Sequence, residues 1–297
     1  MTLPNFVIAG VNKAGTTTLF DAMAQHPDIA ASSVKETCFW LPLRYDEPQP
    51  GLDDYAEFFA DAPESQITME ATPGYFYGGD RLAPAMNESL PDLRVLVVFR
   101  DPVDRLVSFF RFQKSMLRLE PDLTIDRYVD ECLDLPPDRL VHERDLNPMF
   151  GVEGGRYDRY LQPWIDQFGD RLRILDFEDL AADTPGVLRD VGGWLGLDPE
   201  PWTDIDSSAS NRTVAPKNRT LHRAALTVNR TFERRLRDLP RTKAVVRRFY
   251  QSINSGQREP DLTDETRQRL VGLYAPHRDG LASQLDRAGH RVPSWAS

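Results

Sequence analysis

Lysine and cysteine are scarce in this 297-residue sequence. The two cysteines, Cys38 and Cys132, are too few for a disulfide framework, so their number favours a reducing, cytoplasmic location. Lysine occurs only at positions 13, 35, 114, 217 and 243, and arginine supplies the rest of the positive charge. A lysine at a candidate site therefore indicates a need for a compact, rotatable ammonium group.

Long apolar runs, linkers and repeats are also missing from the sequence. No run approaches the length of a membrane span, and an apolar strand follows the first residues so closely that no signal peptide is expected. No Gly/Ser-rich linker or internal repeat divides the chain. Hydrophobic residues make up 40% and charged residues 28% of the sequence, as in ordinary globular proteins. We therefore expect one domain over residues 1–297.

Negative charge predominates overall but is unevenly distributed. The formal net charge is −10 at pH 7, yet residues 211–258 contain thirteen Arg and Lys against only Glu233 and Asp238. The simpler interpretation of the basic helical segment at about 220–258 is a solvated surface. The alternative is peripheral contact between residues 219–248 and an anionic membrane. No nucleic-acid partner is predicted.

The most informative stretch is the apolar run Phe6–Ala9, followed by Gly10, Gly15 and Thr16–Thr18. The run is typical of a buried parallel strand, the glycines bound a tight loop, and the threonines open a helix. A helix N-terminus behind such a loop attracts anions, because its unpaired N–H groups and its dipole face the ligand. The sequence therefore predicts an anion site at this loop.

The spacing of the two glycines resembles that of the nucleotide-binding P-loop, but the magnesium ligands are missing. That motif needs Lys-Ser/Thr directly after its second glycine. Here two threonines follow Gly15, and the lysine, Lys13, lies inside the loop. The apolar strand Arg94–Phe99 ends in Arg100 instead of a carboxylate. These differences predict a phosphate cradle without a metal and argue against ATP or GTP hydrolysis.

Two motifs together resemble those of sulfotransferases that use 3′-phosphoadenosine 5′-phosphosulfate (PAPS). Val11–Leu19 is similar to that family's 5′-phosphosulfate loop, and Val97–Ser108 is similar to its 3′-phosphate motif. The likeness is to the branch of bacterial and heparan-sulfate-type carbohydrate sulfotransferases, and it extends to Val292–Trp295. It implies an α/β fold with a P-loop-like central parallel sheet, flanking helices and a helical C-terminal part. Gln66–Glu70 and Leu172–Phe177 are predicted as further strands of this sheet.

The resemblance also implies a cofactor and its contacts. PAPS would be the sulfuryl donor and 3′,5′-adenosine bisphosphate the product, with no metal required. The 5′-phosphosulfate is expected to contact Asn12, Lys13, Ala14, Gly15, Thr16, Thr17 and Thr18. The 3′-phosphate is expected to contact Arg100 and Ser108. A late loop would add Lys217 and Arg219 over the nucleotide.

The expected reaction moves a sulfuryl group to a hydroxyl or amine of a carbohydrate, glycolipid or other small acceptor. Glu36 corresponds to the glutamate that this branch uses as general base, so it would take the acceptor proton. Lys13 would be the second catalytic residue and would neutralise charge on the bridging oxygen. Lys35, Tyr75 and Tyr77 are candidate acceptor contacts, the tyrosines as surfaces for a sugar ring.

Two functions from other classes remain as alternatives. A P-loop-like small-molecule kinase would need Mg²⁺ and a carboxylate to hold it. A non-catalytic nucleotide- or membrane-binding module would act through the basic residues 211–258. Within the sulfotransferase hypothesis, Glu70 or a histidine would be the next candidate if Glu36 were not the base.

Overall fold

A parallel sheet lies at the centre of the structure, a computed structural model that describes residues 1–62, 67–203 and 262–297. In these residues the strands are β1 Phe6–Gly10, β2 Ile29–Ala31, β3 Ile67–Ala71, β4 Arg94–Phe99 and β5 Leu172–Asp176. They form one sheet in the order β2-β3-β1-β4-β5, and every neighbouring pair is parallel. The predicted fold class is confirmed.

Burial explains which strands the sequence reveals. Every residue of β1 and all but the first of β4 are buried, and strands covered on both faces read as continuous apolar runs. The three-residue strand β2 is a finding that sequence reasoning missed. Because the strands are parallel, their carboxyl ends share one edge of the sheet, and this is where open α/β sheets bind ligands.

Helices flank the sheet in the described parts of the chain. Their bounds are α1 Thr16–Met23, α2 Leu41–Arg44, α3 Leu52–Ala56, α4 Gly79–Ser89, α5 Pro102–Ser115, α6 Ile125–Leu133, α7 Pro137–His142, α8 Asp158–Phe168, α9 Phe177–Ala182, α10 Thr184–Leu195 and α11 Asp264–Arg287. The predicted helical C-terminal part is thus present in α11. None of the described helices combines the length and apolar character needed to cross a bilayer.

The carboxylate of Asp101 fixes both the start of α5 and the position of α11. Its Oδ1 accepts hydrogen bonds from the backbone N–H groups of Val103 and Asp104, at 2.9 and 3.1 Å, as an N-cap residue does. Its Oδ2 pairs at 2.7 Å with Nη2 of Arg278 on α11. Leu106 of α5 and Tyr274 of α11 also belong to one apolar cluster of buried residues. The C-terminal helix therefore supports the segment that follows β4.

Candidate active site

The glycine-bounded loop between β1 and α1 leaves no space for side chains at its two ends. Gly15 has φ 79° and is the N-cap of α1, and a Cβ there would lie 3.0 Å from the ring of Phe177. A Cβ on Gly10 would lie 2.6 Å from Cβ of Phe76. Both glycines are required by these contacts, and Gly15 also by its left-handed backbone.

The first turn of α1 is open to an anion. No side chain of the described residues caps it, and no acidic residue lies in it. The N–H groups of Thr16–Thr18 have no intrahelical partners, because the first N–H groups of any helix lack them. Together with the positive end of the helix dipole they give this turn the ability to bind an anion, which the predicted anion site requires.

Lys13 lies within the loop as a largely buried cation. Its Nζ is 4.4 Å from the ring centroid of Phe112 on α5, and its backbone adopts φ 72°. Burial lowers the pKa of Lys13 to about 8, which Glu36 opposes and which Arg100 reinforces. No carboxylate of the described chain forms an ion pair with this ammonium. An anionic ligand would therefore relieve an unfavourable charge.

Arg100 connects the second motif to the loop. Its Nη1 donates a hydrogen bond to the backbone oxygen of Lys13 at 3.1 Å, and its guanidinium lies 4.3 Å from the ring centroid of Phe177. Burial lowers its pKa, although Asp104 and Glu178 oppose this effect. Its buried Nε has no hydrogen-bond partner in the described chain. The guanidinium thus retains donor capacity at the edge of the sheet.

Ser108 projects from the helix face that approaches the loop. It lies one turn before Phe112 on α5, and residues four apart share a helix face. Because Phe112 contacts Lys13, Ser108 lies on the face of α5 that is turned toward the loop. The two motifs predicted from the sequence therefore meet in space.

Glu36 occupies an exposed turn that is attached to the carboxyl end of β3. Its backbone N–H donates to the oxygen of Ala71 at 3.0 Å, and its φ is 63°. Nζ of Lys35 lies 3.1 Å from Oε1 of Glu36, and the glutamate side chain is 54% exposed against 18% for the lysine. The carboxylate can therefore reach a solvent-borne substrate while a neighbouring ammonium orients it.

Tyr75 and Tyr77 differ from the sequence-based expectation. Both are fully buried, because they belong to a short helical turn packed into the core. The hydroxyl of Tyr77 donates to the backbone oxygen of Gly154 at 3.0 Å, and that of Tyr75 lies 3.2 Å from Oγ1 of Thr37. Neither ring has an accessible face, so the predicted stacking of a sugar ring does not fit the structure.

Glu70 also lies in the interior, next to the Glu36 turn. It is completely buried and accepts hydrogen bonds from the hydroxyls of Thr37, Tyr55 and Thr72. Burial raises its pKa, and these hydroxyls oppose the shift. A carboxyl enclosed in this way cannot receive a proton directly from a substrate in solution, so Glu70 does not replace Glu36 as the candidate base.

Sequence reasoning overlooked two aromatic contacts of the site, Phe112 and Phe177. Isolated phenylalanines on helices carry no signal that separates a site from a core. Lys217, Arg219 and the basic helical segment at about 220–258 lie outside the described residues, so their predicted roles stay predictions.

Comparison with known proteins shows similarity along nearly the whole chain. The family model of the sulfotransferase domain matches residues 3–269. Heparan sulfate glucosamine 3-O-sulfotransferase 3A1 of Mus musculus is 32% identical over 198 residues, which are 66% of this chain and 46% of that protein. Bifunctional heparan sulfate N-deacetylase/N-sulfotransferase 4 of Mus musculus is 25% identical over 306 residues, which cover 99% of this chain and 31% of that protein. The chain thus spans less than half the length of these relatives.

A solved structure shares the fold. The sulfotransferase from Alicyclobacillus acidocaldarius superimposes with a TM-score of 0.70 over 100% of both chains, at 19% sequence identity. At this identity the similarity concerns the arrangement of strands and helices alone.

Proposed function

Because this chain belongs to the sulfotransferase domain family, we propose that it transfers a sulfuryl group from PAPS to a hydroxyl or amine. The relatives are named for O- and N-sulfotransferase activities on heparan sulfate. A carbohydrate is therefore the favoured acceptor class, and a glycolipid or other small molecule with the same groups falls within the proposal.

The observation that carries the proposal is the pair of linked cations at the loop. Lys13 and Arg100 are joined through the Lys13 carbonyl, and neither forms an ion pair with a described residue. Gly10 and Gly15 let the loop pack closely against Phe76 and Phe177, where no side chain would fit. A ligand with two separate anionic groups, such as a 5′-phosphosulfate and a 3′-phosphate, matches this arrangement.

Each part of the site has a distinct role in the proposal. When bound, PAPS supplies the sulfuryl group and 3′,5′-adenosine bisphosphate is left. Lys13 and the N–H groups of Thr16–Thr18 would hold the 5′ end, while Arg100 and Ser108 would hold the 3′-phosphate. Each donor aligned with developing charge contributes roughly 3 kcal/mol to transition-state stabilisation.

Proton transfer completes the proposed reaction. The Glu36 carboxylate would accept the acceptor's proton, a contribution of about 10²–10⁴ in rate. Lys35 holds that carboxylate through the 3.1 Å ion pair.

Calorimetry and mass spectrometry test this proposal. We expect tight binding of 3′,5′-adenosine bisphosphate without metal, and acceptor products heavier by one sulfate after incubation with PAPS. Lys13→Ala should abolish transfer, and Glu36→Gln should lower kcat with unchanged nucleotide affinity. Arg127→Ala, at an exposed position on α6, is the matched control and should behave as the wild type.

Three outcomes would contradict the proposal. Binding of ATP·Mg²⁺ but not of 3′,5′-adenosine bisphosphate would favour the kinase alternative. Absence of binding to either nucleotide would favour a non-catalytic module. Near-normal turnover by Lys13→Ala would show that the loop does not have its proposed role in sulfuryl transfer.

A further inference from the structure

The turn that carries Glu36 has an unusual backbone. Glu36 has φ 63° and Cys38 has φ 58°, and the left-handed region is disfavoured for any residue with a Cβ. Two such residues within three positions persist only when surrounding contacts hold them. The contacts that do so decide where the Glu36 carboxylate lies.

Side-chain hydroxyls hold this turn through its backbone. The three consecutive N–H groups at positions 38–40 each donate to a hydroxyl oxygen at 3.3 Å. In chain order, the acceptors are Thr72, Thr37 and Tyr75. Satisfying three successive amides without a strand or helix fixes the path of the chain past Glu36.

The same three hydroxyls lead to one buried carboxylate. Thr37 and Thr72 donate to Oε2 of Glu70 at 2.6 and 3.1 Å. The hydroxyl of Tyr75 lies 3.2 Å from Oγ1 of Thr37. Since the Thr37 hydrogen is directed to Glu70, Tyr75 must donate to Thr37. Oε1 of Glu70 is used separately, by the hydroxyl of Tyr55 at 2.7 Å.

We propose that Glu70 is a positioning residue, whose carboxylate orients the hydroxyls that hold the Glu36 turn in its reactive geometry. The inference rests on the proposed role of Glu36 as the base. A carboxylate is suited to this task because it only accepts hydrogen bonds, so all neighbouring hydroxyls point toward it. An amide at this position would present an N–H₂ group to one of them and reverse part of the network.

Four substitutions separate positioning from plain stability. Glu70→Gln preserves shape but disrupts the orientation of the hydroxyls, and Thr37→Val removes the hydroxyl that joins Tyr75 to Glu70. Tyr55→Phe is the matched control, because Tyr55 is equally buried and bonds the same carboxylate through the other oxygen. Thr37→Ser retains the hydroxyl and is the conservative rescue.

The first readout is the division of effects between kcat and binding. Glu70→Gln and Thr37→Val should lower kcat by about tenfold to a hundredfold, the effect of a misplaced catalytic group. The affinity for 3′,5′-adenosine bisphosphate should not change. Thr37→Ser and Tyr55→Phe should retain most of the wild-type kcat. An equal loss of kcat in Tyr55→Phe, or a wild-type kcat in both disrupted variants, would overturn the inference.

The second readout does not depend on sulfotransferase activity. Cys38 lies in the turn and its Sγ donates to the oxygen of Glu36 at 3.3 Å. Although Cys38 as a residue is exposed, desolvation of its sulfur, together with Glu36 and Glu70, raises the pKa of the thiol to about 12. A loosened turn should break the hydrogen bond from Sγ to the oxygen of Glu36, lower the pKa of the thiol and accelerate its alkylation.

We would measure alkylation of Cys38 by iodoacetamide with mass spectrometry, using buried Cys132 as the internal reference. This measurement distinguishes failure of the positioning inference from failure of the proposed sulfotransferase function. Faster alkylation in Glu70→Gln and Thr37→Val, but not in Tyr55→Phe, would support positioning even if no sulfate transfer were found. Unchanged alkylation in all variants would refute positioning even if the wild type were an active sulfotransferase. Should Glu70→Gln fail to fold, the comparison of Thr37→Val with Thr37→Ser decides the question.

Discussion

Binding of 3′,5′-adenosine bisphosphate should be coupled to proton uptake by Lys13. Burial lowers the pKa of this ammonium from 10.5 to about 8, which corresponds to roughly 3 kcal/mol of free energy against the charged form. A bound phosphate would favour the charged form and raise the pKa again. The affinity should therefore be full below pH 7 and decrease as the pH rises through 8.

The expected size of the effect follows from the population of charged Lys13. At pH 8 about half of the free protein carries the proton, so binding should take up about half a proton per molecule. At pH 9 only about one molecule in ten is charged, and the apparent Kd should be about tenfold weaker. At pH 6.5 proton uptake by this residue should vanish.

Titration calorimetry in two buffers of different ionisation enthalpy measures this uptake directly. Lys13→Met keeps an unbranched apolar stem against Phe112 but cannot titrate, so its weaker binding should lose this pH dependence. Glu178 needs its own control, because burial and the Asp176 carboxylate raise its pKa to about 8. Ionised Glu178 would also oppose an anion, and Glu178→Gln removes that contribution.

Either of two results would contradict a role for the Lys13 charge in binding. A wild-type affinity that is constant between pH 7 and pH 9 would mean that the ligand does not use the Lys13 charge. Equal proton uptake by the Glu178→Gln protein with and without Lys13→Met would show that a group other than Lys13 takes up the proton.

Three further outcomes are expected. Gly15→Ala should lower Tm and nucleotide affinity, because Gly15 has a left-handed backbone. Gly193→Ala, which lies in open space within α10, should instead raise the free energy of unfolding by about 0.5–1 kcal/mol. Equal Tm values for the two variants would contradict this. Arg100→Ala should weaken 3′,5′-adenosine bisphosphate by roughly 2 kcal/mol more than the analogue without the 3′-phosphate, and calorimetry showing equal losses would make Arg100 structural. Lys114→Met should lower the free energy of unfolding, measured in urea, by about 2–3 kcal/mol, because the ammonium donates to three backbone carbonyls at positions 120, 121 and 123. An unchanged urea midpoint would refute this structural role of Lys114.

Local patterns in the sequence predicted the strand, loop and helix of the candidate anion site because nearby residues determine them. The strand β1, the glycine loop and the start of α1 lie within twenty residues, and the Asp101 cap needs only the next three residues. Such features follow from neighbours along the chain. The three residues of β2 are too few to show a period, so that strand could not be recognised.

Contacts between distant residues account for what the sequence could not show. Tyr77 is buried, and its hydroxyl bonds to Gly154, 77 residues away. In a sequence, a tyrosine after a turn looks the same whether it packs in the core or faces solvent. Thr37 is 33 residues from Glu70, so its tie to the Glu36 turn has no local pattern. Only the fold brings these pairs together.

The ion pair between Asp101 and Arg278 has a consequence for synthesis of the chain. Its partners are 177 residues apart, and domains form from the N-terminus as the ribosome adds about 5–20 residues per second. The segment behind Arg100 therefore waits roughly 10–35 s for its C-terminal support. During that interval the apolar face of α5 has no α11 to cover it. The candidate site next to this segment thus lacks this support until Arg278 has been synthesised.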